Sequence, residues 1–115
     1  DRPELGFYVV AQRNGDIVGS LMVTTEWSDW RNGSFWWIQS VYVLPQARRQ
    51  GIYRRLHEFV KAEAGRKGDV CGFRLYVERG NVPAQNTYAS LGMVETEYKL
   101  YEELKRNTKF FEKAA

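Results

Sequence analysis

The hydrophobic and polar positions divide the chain into short alternating runs followed by longer helical ones. Phe7–Ala11 is an apolar run, Asn14-Gly15-Asp16 follows, and a second run spans Ile17–Thr25. An Asn-Gly pair between two such runs predicts a tight hairpin, because both turn positions tolerate positive φ. In the second run Ile17, Leu21, Val23 and Thr25 are expected on one face, with Gly19 between them. Residues 28–34 read as a loop. Phe35–Leu44 is then apolar on both faces except at Gln39 and Ser40, the pattern of a central strand, and Pro45 closes it.

Beyond that point the period changes. Ile52, Leu56, Phe59 and Val60 fall at helical spacing, which predicts an amphipathic helix ending near Gly65 or Gly68. Cys71–Val77 reads as a further strand, with Cys71 as a small core residue. Asn81–Leu91 reads as a second helix with Ala84, Tyr88 and Leu91 on one face and Gly92 just past its end. Met93–Leu104 is β-prone. The expected order is β-β-β-α-β-α-β, a mixed α/β sheet with antiparallel strands first and a parallel strand–helix–strand crossover after them. Residues 1–104 form a single domain in this reading, and 105–115 a basic tail that is frayed or disordered.

Composition narrows the class. The 115 residues are 43% hydrophobic and 27% charged, ordinary for one globular domain and unlike a disordered chain. No run approaches the ~18 consecutive apolar residues of a membrane helix. The polar start Asp1-Arg2-Pro3-Glu4 does not have the shape of a signal peptide. A lone cysteine forms no internal disulfide, so a reducing cytosol is the expected setting. No His/Cys/Asp spacing suggests a metal, and His57 is expected on the surface or at its boundary.

The net charge of +3 is unevenly spread. Residues 1–47 hold 3 basic and 5 acidic side chains, 48–67 hold 7 and 2, and 68–115 hold 7 and 7. The excess therefore sits on one short segment, which favours a local anion site over a general polyanion binder. That segment runs Val41-Tyr42-Val43-Leu44-Pro45-Gln46-Ala47-Arg48-Arg49-Gln50-Gly51-Ile52-Tyr53-Arg54-Arg55, a strand, a turn and a helix start. The first amides of a helix have no internal partner and lie at the positive end of its dipole, a combination suited to phosphate. A solvated basic helix entered through an ordinary turn fits the same residues.

Arg48-x-x-Gly51-x-Tyr53 resembles the pyrophosphate-binding signature of the GNAT superfamily of N-acetyltransferases, Arg/Gln-x-x-Gly-x-Gly/Ala. Asn81-x-x-Ala84-x-x-x-Tyr88-x-x-Leu91-Gly92-Met93 is similar to the late helix and turn of that family. Together the blocks extend the resemblance over essentially the whole chain. The chain departs from the family in two places. Tyr53 stands where the signature has a small residue. The sequence also starts at what would be the family's second strand, without the usual opening strand and helices, which implies a fragment, an opening segment not included, or completion by a partner subunit.

The resemblance implies that acetyl-CoA lies between two splayed parallel strands, Val41–Leu44 and Leu75–Val77. Its pantetheine would pair with the backbone of Val41, Tyr42 and Val43. Its pyrophosphate would meet the turn of Arg48, Arg49, Gln50, Gly51, Ile52, Tyr53 and Arg54, and Asn81 would hold CoA or cap its helix. Tyr88 matches the family's general acid, or is a core tyrosine. Glu26, at the end of the second strand, is the first candidate for the base and Asp29 the next.

Trp27, Trp30, Trp36 and Trp37 fall within 11 residues beside those acids. Trp36 and Trp37 face opposite sides of a strand, so at least one belongs to the core. Trp27, Asp29 and Trp30 suggest a cationic acceptor held by aromatic faces and carboxylates, that is, a small amine, a polyamine or a lysine side chain. The rival readings are a nucleic-acid module using residues 48–67 and the basic tail, and a CoA-binding domain without turnover. An unpaired Phe7–Ala11 edge would invite a homodimer.

Overall fold

The structure, a computed structural model, describes residues 5–105; the polar start and the basic tail beyond Lys105 lie outside the described residues. Strands β1 (Gly6–Arg13) and β2 (Asp16–Ser28) form the expected hairpin. Its turn holds Asn14 at φ 54° and Gly15 at φ 85°, which their side chains, short polar and absent, permit. Strand β3 (Gly33–Val43) pairs antiparallel with β2 and parallel with β4 (Val70–Arg74), giving the sheet order β1-β2-β3-β4. β3 is thus interior, as its two apolar faces predict.

One expected face of β2 changes. Gln12 pairs with Ile17 but Ala11 pairs with Gly19, so Val18 is an extra residue in the ladder. A bulge puts a period of two out of phase by one residue. Val18 is therefore buried and Ile17 is exposed, while Leu21 and Val23 remain on the core face.

Helix α1 (Ile52–Lys67) crosses the sheet and ends at Gly68, which takes the left-handed conformation at φ 81°. Its buried stripe is Ile52, Leu56, His57, Val60 and Ala64. The stripe is centred nearer Val60 than the apolar spacing suggested. At 3.6 residues per turn Phe59 points about 100° away from Val60, and His57 only about 60° away on the other side. Phe59 is accordingly exposed, and His57 is buried rather than at the surface. Gly19 lets the helix approach, since a Cβ there would lie 2.8 Å from Ile52 Cγ2.

Leu21, Val23 and Val60 are the most enclosed side chains of the core. Trp36 joins three strands there, its ring meeting Phe7 edge-on at 5.3 Å and Phe73 at 6.5 Å. Cys71, expected in the core, is exposed, because it lies on the edge strand β4.

Helix α2 (Val82–Ser90) starts and stops as the sequence predicts. The Asn81 Oδ1 atom accepts from the Ala84 N–H at 3.2 Å, and Gly92 turns the chain away at φ 98°. The final expected strand does not form among the described residues. Over 93–105 the chain has no ladder, and Val94, Tyr98 and Tyr101 are more than four-fifths exposed. β propensity becomes a strand only through pairing, and β4 ends after five residues without offering that stretch a ladder. No helix among the described residues is long and apolar enough to cross a membrane.

Candidate active site

The site is built where β4 ends beside β3, so Leu75–Val77, expected as one of two splayed strands, follow without strand structure. The parallel β3–β4 ladder ends at Trp37 opposite Arg74. Just beyond, β3 carries a bulge: Met22 pairs with Gln39 and Ser20 with Tyr42, so three steps on β3 answer two on β2. Ser40, inside the bulge, has φ 53°. The bulge breaks the ladder locally and bends the strand. A cleft of about 280 Å³ opens there, lined by Ile38, Gln39, Ser40, Val41, Leu75, Tyr76 and Tyr88. Because β4 no longer pairs with β3 beyond Trp37, the gap suits an extended ligand lying as an added strand.

The same strand leads into the basic turn. The Leu44 N–H donates to the Val18 carbonyl at 2.9 Å, and Pro45–Ala47 makes a single 3₁₀ turn. Arg49 and Gly51 take φ 65° and 80°. The helical ladder opens with the Arg55 N–H on the Gly51 carbonyl at 3.1 Å, so the amides of Ile52, Tyr53 and Arg54 precede it. Gly51 supplies no capping side chain and the first turn holds no acid. Arg49, Arg54 and Arg55 add positive charge to that end. Arg48 has a bracing role, its Nε donating to the Val43 carbonyl at 3.0 Å, and Gln50 Nε2 donates to the Gln46 carbonyl at 3.0 Å.

Tyr88 lines the cleft from α2, half-buried, and that burial raises its phenol above the usual range. Tyr53 turns inward from α1 to meet it edge-on, with ring centroids 5.5 Å apart. The Tyr53 hydroxyl shares a 3.1 Å hydrogen bond with His57 Nδ1. Burial, and to a lesser degree Tyr88, push the Tyr53 phenol far up. His57 is lowered from 6.5, first by burial and then by Lys61, with Arg54 acting the same way and Glu58 opposing.

A histidine kept neutral in the fold binds fewer protons than in the unfolded chain between its lowered value and 6.5, so stability rises with pH through that window. Thermal melts should therefore show Tm falling as pH drops below about 6.5, and His57→Gln should flatten that fall. An unchanged slope in the variant would count against the assignment.

The candidate base has a defined setting. Glu26 Oε1 accepts from Trp37 Nε1 at 2.7 Å and from Arg74 Nη1 at 3.3 Å. Trp37 in turn stacks against the cleft-lining Tyr76 with centroids 4.7 Å apart, and the Arg74 guanidinium lies 3.6 Å from the Phe35 ring centre. Glu26 does not line the cleft itself; Trp37 and Tyr76 lie between its carboxylate and that space. Trp27, Asp29 and Trp30 do not line it. Their loop sits at the start of β3, and six residues of strand separate Gly33 from Gln39, roughly 20 Å. Trp27 and Trp30 point largely into solvent, at 60% and 91% exposure. The hairpin puts them at the opposite end of β3 from the bulge.

Four contributors escaped the sequence reading: Tyr76, Trp37, His57 and Gln39. Only Gln39 left a signal, as half of the polar pair interrupting an apolar strand at the bulge. Among the described residues no group of three His, Cys, Asp or Glu side chains could hold a metal ion.

A bulged strand running past the end of its parallel neighbour into an uncapped helix start is the candidate site on a mixed α+β sheet. The sequence profile of the Acetyltransferase (GNAT) family matches residues 1–93, and the chain belongs to that family. A possible acetyltransferase from Clostridium difficile 630 is 43% identical and superposes with a TM-score of 0.82, over 90% of this chain and 68% of that one. AAC(6')-Iy, solved with the bisubstrate analog CoA-S-monomethyl-acetylneamine, is 19% identical with a TM-score of 0.74, over 85% and 68%. A ribosomal-protein-alanine N-acetyltransferase from Brucella melitensis biovar Abortus 2308 is 14% identical with a TM-score of 0.77, over 90% and 74%. At those lower identities the likeness is one of fold. None of the curated proteins matches the sequence.

Proposed function

We propose that this acetyltransferase moves the acetyl group of acetyl-CoA to a primary amine by direct attack in a ternary complex. The observation that carries the proposal is the cleft at the Ser40 bulge, with the Tyr88 phenol in its wall and β3 running from it to the uncapped start of α1. Pantetheine pairs along Val41–Val43, and the pyrophosphate lies on the amides of Arg49–Arg54 with Arg49 and Arg54 beside it. The bound complex of AAC(6')-Iy supports a small amine as acceptor.

The chemistry needs three proton transfers. The acceptor amine, with a pKa near 10.4, arrives as ammonium and loses a proton to Glu26 through water. The nitrogen then bonds to the thioester carbon, and a backbone N–H of β3 takes the oxyanion. Collapse breaks the C–S bond, the Tyr88 hydroxyl gives its proton to the leaving thiolate, and the nitrogen's second proton passes through water to restore the Tyr88 phenol. Burial keeps the phenol protonated and makes it a weaker acid, and the same burial raises the basicity of the thiolate released beside it, so the transfer remains matched.

Calorimetry tests the reading without knowledge of the acceptor. Acetyl-CoA and CoA should both bind with micromolar affinity, and ATP, which lacks pantetheine, should bind at least tenfold more weakly. Equal affinity for all three would reduce the site to a phosphate turn. No heat with acetyl-CoA would overturn the proposal and return the basic α1 surface to the nucleic-acid reading.

A further inference from the structure

Tyr53 is a large phenol at the position where the signature it resembles has glycine or alanine. The structure shows where that bulk goes. The ring leaves the phosphate turn and packs inward against the core, its edge on Tyr88 at an interplanar angle of 71°. Its hydroxyl is tied to His57, one helical turn later, and the two ring centroids are 5.6 Å apart. His57 is the buried polar side chain of the described core, at 3% exposure. Neither ring belongs to the wall of the cleft, which Tyr88 lines. Helix α2, which carries Tyr88, has no fully buried residue of its own, so few contacts fix the phenol's orientation.

We propose that His57 and Tyr53 are positioning residues for Tyr88: His57 holds the Tyr53 ring by its hydroxyl, and that ring holds the Tyr88 phenol against the cleft. The inference rests on Tyr88 acting as the general acid. A tyrosine without its hydroxyl partner still fills the space but rocks about its side-chain torsions. A catalytic group displaced by about 1 Å can lose on the order of a hundredfold in rate. The pair therefore acts on the rate of thiolate protonation and leaves the binding of CoA, carried by β3 and the turn, unaffected.

The test uses the full chain with tyrosine labelled by ¹³C at Cζ, the Tyr88 line being identified by its loss in Tyr88→Phe. Tyr53→Phe, a mild change, and His57→Leu should each shift or broaden the Tyr88 line. With spermidine and butylamine as probe acceptors, each should lower kcat about tenfold while the acetyl-CoA Kd stays within twofold, well inside the range for a displaced group. The double variant should be no worse than either single one, because both break the same chain of contacts. His57→Gln, whose carboxamide can still meet the hydroxyl, should keep most of the rate. An unchanged Tyr88 line in Tyr53→Phe overturns the inference, with or without turnover. So does a kcat loss matched by an equal loss of acetyl-CoA affinity, which marks general loosening. A shifted line in a chain that neither binds nor turns over acetyl-CoA removes the reaction the pair would serve, and separates that failure from loss of the contact.

Discussion

Tyr88→Phe should lower kcat by roughly 100- to 10,000-fold at neutral pH, the usual contribution of a positioned general acid, while the acetyl-CoA Kd stays within twofold. The substitution deletes one oxygen and keeps the ring that meets Tyr53 at 5.5 Å, so packing of α2 is preserved. What disappears is the proton in the wall of the cleft. The thiolate must then leave unprotonated or take its proton from water, which is not held in place to give it. Steady-state rates with acetyl-CoA and a primary amine, set beside calorimetric affinity, separate three cases. A fall in rate alone supports the acid. A fall in Tm with unchanged rate makes Tyr88 a packing residue. A wild-type chain that binds acetyl-CoA and turns nothing over is a CoA-binding domain. The raised phenol also sets the pH dependence: Tyr88 stays protonated through neutrality, so its ionisation should limit the rate only on the alkaline side.

Much of this arrangement was legible in the chain because it is written in local chemistry. Asn14-Gly15 dictates a hairpin by what its backbone can adopt, and Gly68 and Gly92 stop helices for the same reason. Asn81 caps α2 through its own side chain. The basic turn is a run of consecutive residues, so its charge and its glycine are visible without a fold. What escaped depends on register. The extra residue at Val18 reverses Ile17, and the stripe of α1 is decided by where the helix settles on the sheet, which buries His57 and frees Phe59. Met93–Leu104 has a strand's composition but no ladder to join among the described residues. The acceptor side was the least legible. The β2–β3 hairpin carries Trp27, Asp29 and Trp30 to the far end of β3, and Glu26, opposite Phe35, lies towards that end as well. Tyr76, distant in sequence, is brought to Trp37 by parallel pairing of β3 with β4.

That pairing explains why two adjacent tryptophans should respond oppositely to truncation. Trp36→Ala should destabilise the fold by about 3–5 kcal/mol, a large share of the ~5–15 kcal/mol that holds a typical domain together. Trp36 is 4% exposed, and its ring meets Phe7 of β1 and Phe73 of β4. Removing it leaves a cavity where three strands converge. Trp37→Ala, on the opposite face, should cost only about 1 kcal/mol, since it gives up a solvent-accessible hydrogen bond to Glu26 and one stacked contact with Tyr76. Its effect should fall on the reaction instead, because Glu26 and Tyr76 lose the ring that joins them beside the cleft. Urea unfolding of both variants decides the matter. Equal destabilisation would mean that the sheet's second face is as closely packed as the first. A greater loss for Trp37→Ala would reverse the assignment of the two faces.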